Sequence, residues 1–233
     1  MILRRRSRPD RDAPAPWALL SFLLRYPDER VADARDELAV EVAALPDGPV
    51  RESLERFLER FTGDATQLAA RYVETFDLRR RNSLHLTYYA HGDTRERGMA
   101  LLRLKKLYRS AGLPLEAAHM PDDLTVMLAF AAVAPPGHGE ALLAEHRAAI
   151  ELVRLSLHDI DSPYADVLDA VAALLAPLTV SERAEVAKLA REGPPEDAVG
   201  LEPYGPPEAM PEGAPDTIHA TGRSRRYAGG RVE

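Results

Sequence analysis

The chain of 233 residues contains no cysteine. This excludes disulfides, thiolate zinc sites, iron–sulfur clusters and cysteine nucleophiles. The alternation of apolar and polar residues that marks strands is nearly missing, and no apolar run approaches the ~20 residues of a membrane span. The sequence therefore predicts a helical protein that uses no thiol chemistry and has no membrane-spanning helix.

Motifs of the common catalytic centres are missing as well. Gly92 and Gly98 lack the spacing of a phosphate-binding loop, and no serine has the glycine-flanked setting of a hydrolase nucleophile. His85, His91 and Asp93 are the closest cluster of metal-ligating residue types, but no two histidines have the i, i+4 spacing of a helical zinc site. We expect neither a catalytic nor a metal site, and an enzyme of unrecognised chemistry is the alternative.

The charge of the chain is negative overall but unevenly placed. The formal net charge of −7 argues against nucleic-acid binding as the main role. Residues 93–112 nevertheless contain six basic and two acidic residues, whereas residues 193–216 contain six acidic and no basic ones. A basic helix that binds nucleic acid is therefore a further alternative, which a steep salt dependence of DNA retention would support.

The N-terminus combines an arginine-rich stretch with a short apolar run, Trp17 to Leu24. This order imitates a signal peptide, but the run has only eight residues and Pro14 and Pro16 stand directly before it. The interpretation that fits better is a basic disordered tail, residues 1–13, followed by a first buried helix.

Helical periodicity dominates residues 14–192. The sequence therefore predicts an all-α, single-domain helical bundle of about eight or nine helices. Residues 193–233 begin with an acidic, proline-rich stretch and show little periodicity, so they are predicted to be a disordered tail.

The longest predicted helix is basic. Asp93 is expected to start it with Glu96 as its capping-box partner, and Gly112 to end it. Gly98 is interpreted as a point where another helix approaches closely. The predicted apolar face comprises Met99, Leu102, Leu107 and Ala111.

Three consecutive arginines, Arg79, Arg80 and Arg81, follow the fourth predicted helix. Such a run is either a solvated loop edge or a clamp for a phosphate group or an acidic partner. Mixed aromatic and arginine surfaces are typical of binding patches, which strengthens the second interpretation and leaves both open. The neighbouring aromatic residues are Tyr72, Phe76, Tyr88 and Tyr89.

Two runs of the chain carry a resemblance to a known family. The first combines Tyr72-x-x-x-Phe76-Asp77 with arginines, Ser83-Leu84 and the run His91-Gly92-Asp93-Thr94-Arg95-x-Arg97-Gly98. The second is Met120-Pro121-Asp122-Asp123-Leu124 before an apolar helix. Together they resemble the NarJ-type nitrate reductase assembly chaperones, within the redox-enzyme maturation proteins. His119 and Asp123 depart from the family pattern, which usually has glutamate and histidine there.

The resemblance implies a cytoplasmic, all-helical, non-catalytic chaperone. Its client would be the catalytic (alpha) subunit of respiratory nitrate reductase, bound through its N-terminal segment and held for molybdenum cofactor insertion before membrane docking. The cofactor belongs to the client, so no stably bound cofactor is expected here. Contact with molybdenum cofactor biosynthesis proteins and service to another molybdoenzyme stay open.

The candidate residues divide into two groups. The expected structural turn and helix start comprises His91, Gly92, Asp93, Arg95, Arg97 and Gly98. The expected client-binding residues are Tyr72, Phe76, Arg79, Arg80, Arg81, Tyr88, Tyr89, Pro121 and Asp122.

Overall fold

The computed structural model describes residues 16–193, and the helices it contains confirm the all-α prediction. Within this range there are twelve α-helices, and the residues between them form no strand. Both predicted tails, residues 1–13 and 193–233, lie outside the described residues apart from Gly193.

The first six helices cover the N-terminal half. They are α1 (Pro16–Leu23), α2 (Glu29–Asp33), α3 (Arg35–Ala43), α4 (Pro49–Arg60), α5 (Ala65–Tyr72) and α6 (Thr87–His91). A π-helical turn, Val73–Asp77, continues α5, and a 3₁₀ turn, Arg80–Asn82, follows it.

The remaining helices are longer on average. They are α7 (Arg95–Ser110), α8 (Leu124–Val133), α9 (His138–Glu145), α10 (Arg147–Asp159), α11 (Tyr164–Leu174) and α12 (Val180–Glu192).

The core is built around α8 and α11, which are apolar over most of their surface. Helix α11 packs against α4, α8 packs against α1, and α10 lies between α11 and α12. Seven of the ten residues of α8 are buried, so it is a central helix rather than a surface one. Trp17, Leu20 and Leu23 of α1 are also buried, which confirms the expected first buried helix.

Side-chain caps fix several helix starts. Thr179 and Glu182 form a capping box at the start of α12, and Asp123 accepts a hydrogen bond from the Thr125 N–H at the start of α8. For α7 the prediction was wrong, because Thr94 occupies the N-cap position. Asp93 lies one residue earlier.

The number of helices was underestimated for local reasons. One predicted helix is divided into α2 and α3 at Ala34, and another is divided into α9 and α10 at His146. The short helix α6 has only five residues, too few to show a helical period in the sequence. Hydrophobic periodicity continues across such breaks, so it does not reveal them.

The predicted apolar face of α7 is correct for Leu107 and Ala111, which are partly buried against the core, and wrong for the other two residues. Ala100, Leu104 and Tyr108 are the buried residues of this helix, whereas Met99 and Leu102 are 60% and 59% exposed. The helix is therefore rotated relative to the prediction, with an outer surface that is both basic and partly apolar.

Gly98 does not mark a close approach between helices. A Cβ atom at Gly98 would meet nothing within 4 Å, whereas a Cβ atom at Gly139 would overlap the backbone of Ala131. The close contact of this fold is therefore the one between α8 and α9, at a glycine that the sequence reading did not single out.

Candidate functional site

The two runs that carry the family resemblance, residues 72–98 and 120–124, are called the signature runs below. They meet at Asp122, which is completely buried. Arg97 Nη2 donates a hydrogen bond to Asp122 Oδ2 over 3.3 Å, and the Thr87 hydroxyl donates to the same oxygen over 2.5 Å. The backbone carbonyl of Asp122 accepts a hydrogen bond from the Leu86 N–H. Asp122 thus connects the start of α7, the start of α6 and the segment before α8.

Further contacts tie down the same region. Tyr108 is fully buried and donates a hydrogen bond to the Pro121 carbonyl over 2.7 Å. Arg97 also pairs with Asp93 over 3.0 Å, and its guanidinium carbon lies 5.7 Å from the centre of the Tyr88 ring. Gly92 adopts φ 57°, so the turn between α6 and α7 uses a conformation that favours glycine.

Burial and the neighbouring polar groups shift the pKa of Asp122 in opposite directions. Burial alone would raise its pKa, but the hydrogen-bonding groups of His85 and Thr87 and the charge of Arg97 hold the pKa below its usual range. His85 Nδ1 lies 3.4 Å from Asp122 Oδ1, and this carboxylate raises the pKa of His85 despite partial burial. The carboxylate is therefore ionised inside the fold.

This burial corrects part of the predicted client surface. Asp122 and Pro121 hold the fold together from within, and neither side chain is exposed. Phe76 and Tyr89 are also buried, at 6% and 5% exposure, so they cannot form an aromatic rim. Tyr72 is only partly accessible, and its hydroxyl donates a hydrogen bond to the Leu24 carbonyl.

The aromatic residues belong to two separate places. Tyr72 and Phe76 contact the buried Tyr164, with ring centres 5.8 Å and 4.9 Å away, and so form part of the core. Tyr88 lies beside Tyr89 and Arg97, near the start of α7. The structure does not bring the predicted client-binding residues together on one surface.

The arginine run is exposed and held by a buried asparagine. Asn82 donates a hydrogen bond to the Thr75 carbonyl and accepts one from Ser156 of α10, over 2.8 Å and 2.6 Å. This fixes the 3₁₀ turn against α10, so that Arg79, Arg80 and Arg81 extend from an anchored segment.

A groove lies between α6, α7 and the α10–α12 pair. It encloses about 380 Å³, a size typical of ligand-binding clefts. Its lining is mainly apolar, and sequence reasoning missed it because its two walls are far apart in the chain. The apolar lining includes Leu86, Ala100, Leu104, Leu107, Ala148, Ala149 and Leu189.

Charged and titratable side chains surround this groove. Arg103 lies on the α7 side, and Glu145 and Glu185 lie on the opposite side. His146, at the junction of α9 and α10, lines the groove, and burial lowers its pKa, so the ring is neutral. His91, at the end of α6, also lines it, which joins the groove to the first signature run.

Two further properties of residues 16–193 concern metal binding and membrane insertion. No set of three His, Cys, Asp or Glu side chains in this range is placed to hold a metal ion. Among its helices, none has both the length and the apolar character that a membrane crossing requires.

Fold and groove together define the class of protein, an all-α bundle with an apolar cleft that has charged residues at its edge. The chain belongs to the nitrate reductase delta subunit family, whose family model matches residues 24–170. This confirms the family expected from the two signature runs.

Named relatives agree with this assignment. The chain is 38% identical over 156 residues to the nitrate reductase-like protein NarX of Mycobacterium tuberculosis, covering 66% of this chain and 23% of NarX. It is 30% identical over 175 residues to the probable nitrate reductase molybdenum cofactor assembly chaperone NarJ of Bacillus subtilis, covering 75% and 95%. Identity to the chaperone NarJ of Escherichia coli K12 is 31% over 154 residues, covering 65% of each chain. The chain thus matches less than a quarter of NarX.

Proposed function

We propose that this chain is a client-specific chaperone of nitrate reductase maturation and not an enzyme. It binds the apo catalytic (alpha) subunit in the cytoplasm and holds it for molybdenum cofactor insertion and complex assembly before membrane docking. The cofactor stays with the client. Family membership and the names of the NarJ relatives support this role, since those relatives are called assembly chaperones.

The observation that carries the proposal is the groove between α7 and the α10–α12 pair. An amphipathic helix binds such a cleft by placing its apolar side chains on the floor and its charges at the edge. Here Leu104, Leu107 and Leu189 supply the floor, with Arg103 facing Glu145 and Glu185 across the opening. Opposite charges on the two sides favour one orientation of the bound segment.

The occupant that we propose is the N-terminal segment of the catalytic subunit. A segment that is unfolded before binding must lose conformational entropy, which limits its affinity. Moderate affinity suits a chaperone whose client has to leave. The exposed residues Arg79, Arg80 and Arg81 and the half-buried Tyr88 stay predicted contacts with other parts of the client.

Co-purification tests this function. The chaperone is expected to retain the apo catalytic subunit but to lose most of it when the first few tens of residues of the client are removed. Matched peptides from the N-termini of other molybdoenzyme subunits serve as the specificity control. Retention that ignores the truncation, or equal binding of all peptides, would contradict the proposal.

A further inference from the structure

A second cavity lies on another part of the molecule and is polar rather than apolar. It encloses about 350 Å³ between the end of α4, the α5 and π-helical segment, and the loop before α11. It shares no lining residue with the groove described above. Arg60, Arg71 and Arg79, from three different segments, line it, and we call it the arginine cavity.

The three arginines differ in how far their charges are already neutralised. Arg60 is fully engaged, because it pairs with Asp161 over 2.7 Å and with Asp166 over 3.0 Å. Arg71 makes one long hydrogen bond, 3.4 Å, to the Arg60 carbonyl. Arg79 is exposed and makes no side-chain hydrogen bond or ion pair within residues 16–193. Two guanidinium groups are therefore available to an anion.

Two hydroxyl groups add neutral donors to the same cavity. Ser162 accepts a hydrogen bond from the Tyr164 N–H, which leaves its own O–H able to donate. Thr75 lines the cavity from the π-helical turn, and its hydroxyl has no hydrogen-bond partner in the described range. Both residues are 95% buried, so their positions are fixed by the fold.

The backbone around the arginine cavity is unusual at two points. Thr75 belongs to a π-helical turn, a rare conformation that occurs often at functional sites. Asp161 has φ 51° and is the non-glycine residue with positive φ in the described chain. Such conformations persist where the surrounding structure enforces them, and they are frequent at ligand sites.

The cavity also contains negative charge, which narrows the kind of ligand. Asp161 is engaged by Arg60, but Glu74 lines the cavity without a carboxylate-binding partner within residues 16–193. A ligand that complements both charges carries an anionic group that pairs with Arg71 and Arg79. It also carries hydrogen-bond donors whose hydrogen bonds Glu74 can accept. At about 350 Å³ the space exceeds that of a lone ion.

We propose that the arginine cavity binds a small phosphate ester that also bears hydroxyl groups. Arg71 and Arg79 hold the phosphate, since guanidinium groups form parallel charge-assisted hydrogen bonds with its oxygens. Thr75 and Ser162 donate to the remaining oxygens, and Glu74 accepts from a ligand hydroxyl. This gives Arg79 a role in addition to the predicted client contact that it shares with Arg80 and Arg81, which do not line the cavity.

The test uses the full chain and glycerol 3-phosphate as the probe, with binding followed by calorimetry at constant ionic strength. Inorganic phosphate and succinate are titrated in parallel, to separate an ester from a bare ion and a phosphate from a carboxylate. Arg79→Gln removes a lining charge, and Arg81→Gln removes an exposed charge two residues away as the matched control.

The ester is expected to bind saturably and more tightly than either parallel probe. Its affinity falls about tenfold in Arg79→Gln and is unchanged in Arg81→Gln, as expected for the loss of one charge-assisted contact. The proposal is overturned by non-saturable binding, by equal weakening in both variants, or by succinate binding as tightly as the ester. None of these outcomes depends on the client.

Discussion

Asp122 is the residue on which most contacts of the signature region depend. Its side chain receives Arg97 and Thr87, with His85 beside it, and all three precede it by 25 residues or more in the chain. A buried ion pair adds little compared with a well-packed apolar pair, but losing one partner leaves an uncompensated charge inside the fold. The expected effect of a substitution is therefore large and structural.

Replacing Asp122 with Asn tests this directly. The side chain keeps its shape but no longer neutralises Arg97, so we expect the free energy of unfolding to fall by about 3 kcal/mol. Urea denaturation of the purified protein measures the change. Asp93→Asn is the matched control, because Asp93 pairs with the same arginine from an exposed position, and its loss should cost at most about 1 kcal/mol. Equal effects of the two variants would contradict the role of Asp122.

His85 gives the same cluster a pH dependence. Asp122 raises the pKa of His85, with a smaller contribution from Asp123 and opposition from burial and from Arg97. Because the folded-state pKa is raised above the ordinary value of 6.5, the interaction stabilises the fold fully below that value. The stabilisation is lost as the pH rises through the folded-state pKa.

The variant His85→Gln should reveal this dependence. The difference in unfolding free energy between the natural chain and the variant is expected to narrow as the pH increases from about 6 to about 9. Urea denaturation at a series of pH values measures it. A difference that stays constant or widens over this range would show that the charge of His85 does not stabilise the fold.

At the scale of helices, α8 and α9 pack so closely that only glycine fits at position 139. Adding a Cβ at Gly139 would overlap the Ala131 backbone, which cannot move without displacing the buried helix α8. Gly139→Ala is expected to destabilise the protein by about 1–3 kcal/mol.

Gly98→Ala, on α7, is expected to have the opposite effect on the stability of the protein. Its position on α7 faces open space, so alanine should stabilise the protein by about 0.5–1 kcal/mol through helix propensity. Thermal unfolding of both variants measures the contrast. Destabilisation by Gly98→Ala, or tolerance of Gly139→Ala, would contradict the packing described for these helices.

Individual helices show which structural features can be predicted from the sequence alone. Capping chemistry is local, so Thr179 with Glu182 and Asp123 with Thr125 were predictable from a few residues. The rotation of α7 was not, since Leu102 and Leu104 are equally apolar and only the neighbouring helices decide which one is buried. The side chain of Leu102 lies outside, whereas Tyr108 on the buried face contacts Phe130 of α8, with ring centres 5.0 Å apart.

The site was harder to predict than the fold for a related reason. Aromatic residues near arginines are typical of binding surfaces, but the same residues also fill cores, and Phe76 and Tyr89 do so here. The groove combines residues of α7 with residues at least 38 positions further along the chain, from Leu107 to Glu145, and no local pattern indicates that pairing. The family motif includes His91 at one edge of the groove, but it includes no residue of the opposite wall.

For the whole molecule, the two cavities differ in the kind of molecule that they suit. The apolar groove suits a client segment, and the arginine cavity suits a small anion. Asp122 and Arg97 join the segments that carry the groove wall at α6 and α7. The signature residues therefore place these helices, and the surface that we propose for the client consists of less distinctive apolar residues.

The affinity of a client N-terminal peptide for groove variants tests this account most directly. Leu107→Ser removes a half-buried side chain from the groove, whereas Leu102→Ser removes an exposed one from the outer surface of the same helix. Fluorescence anisotropy measures binding, and the unfolding midpoint of each variant confirms that it is folded. We predict that Leu107→Ser weakens binding by about tenfold or more, while Leu102→Ser leaves it unchanged. Unchanged affinity in folded Leu107→Ser, or equal losses in both variants, would contradict the groove as the client site.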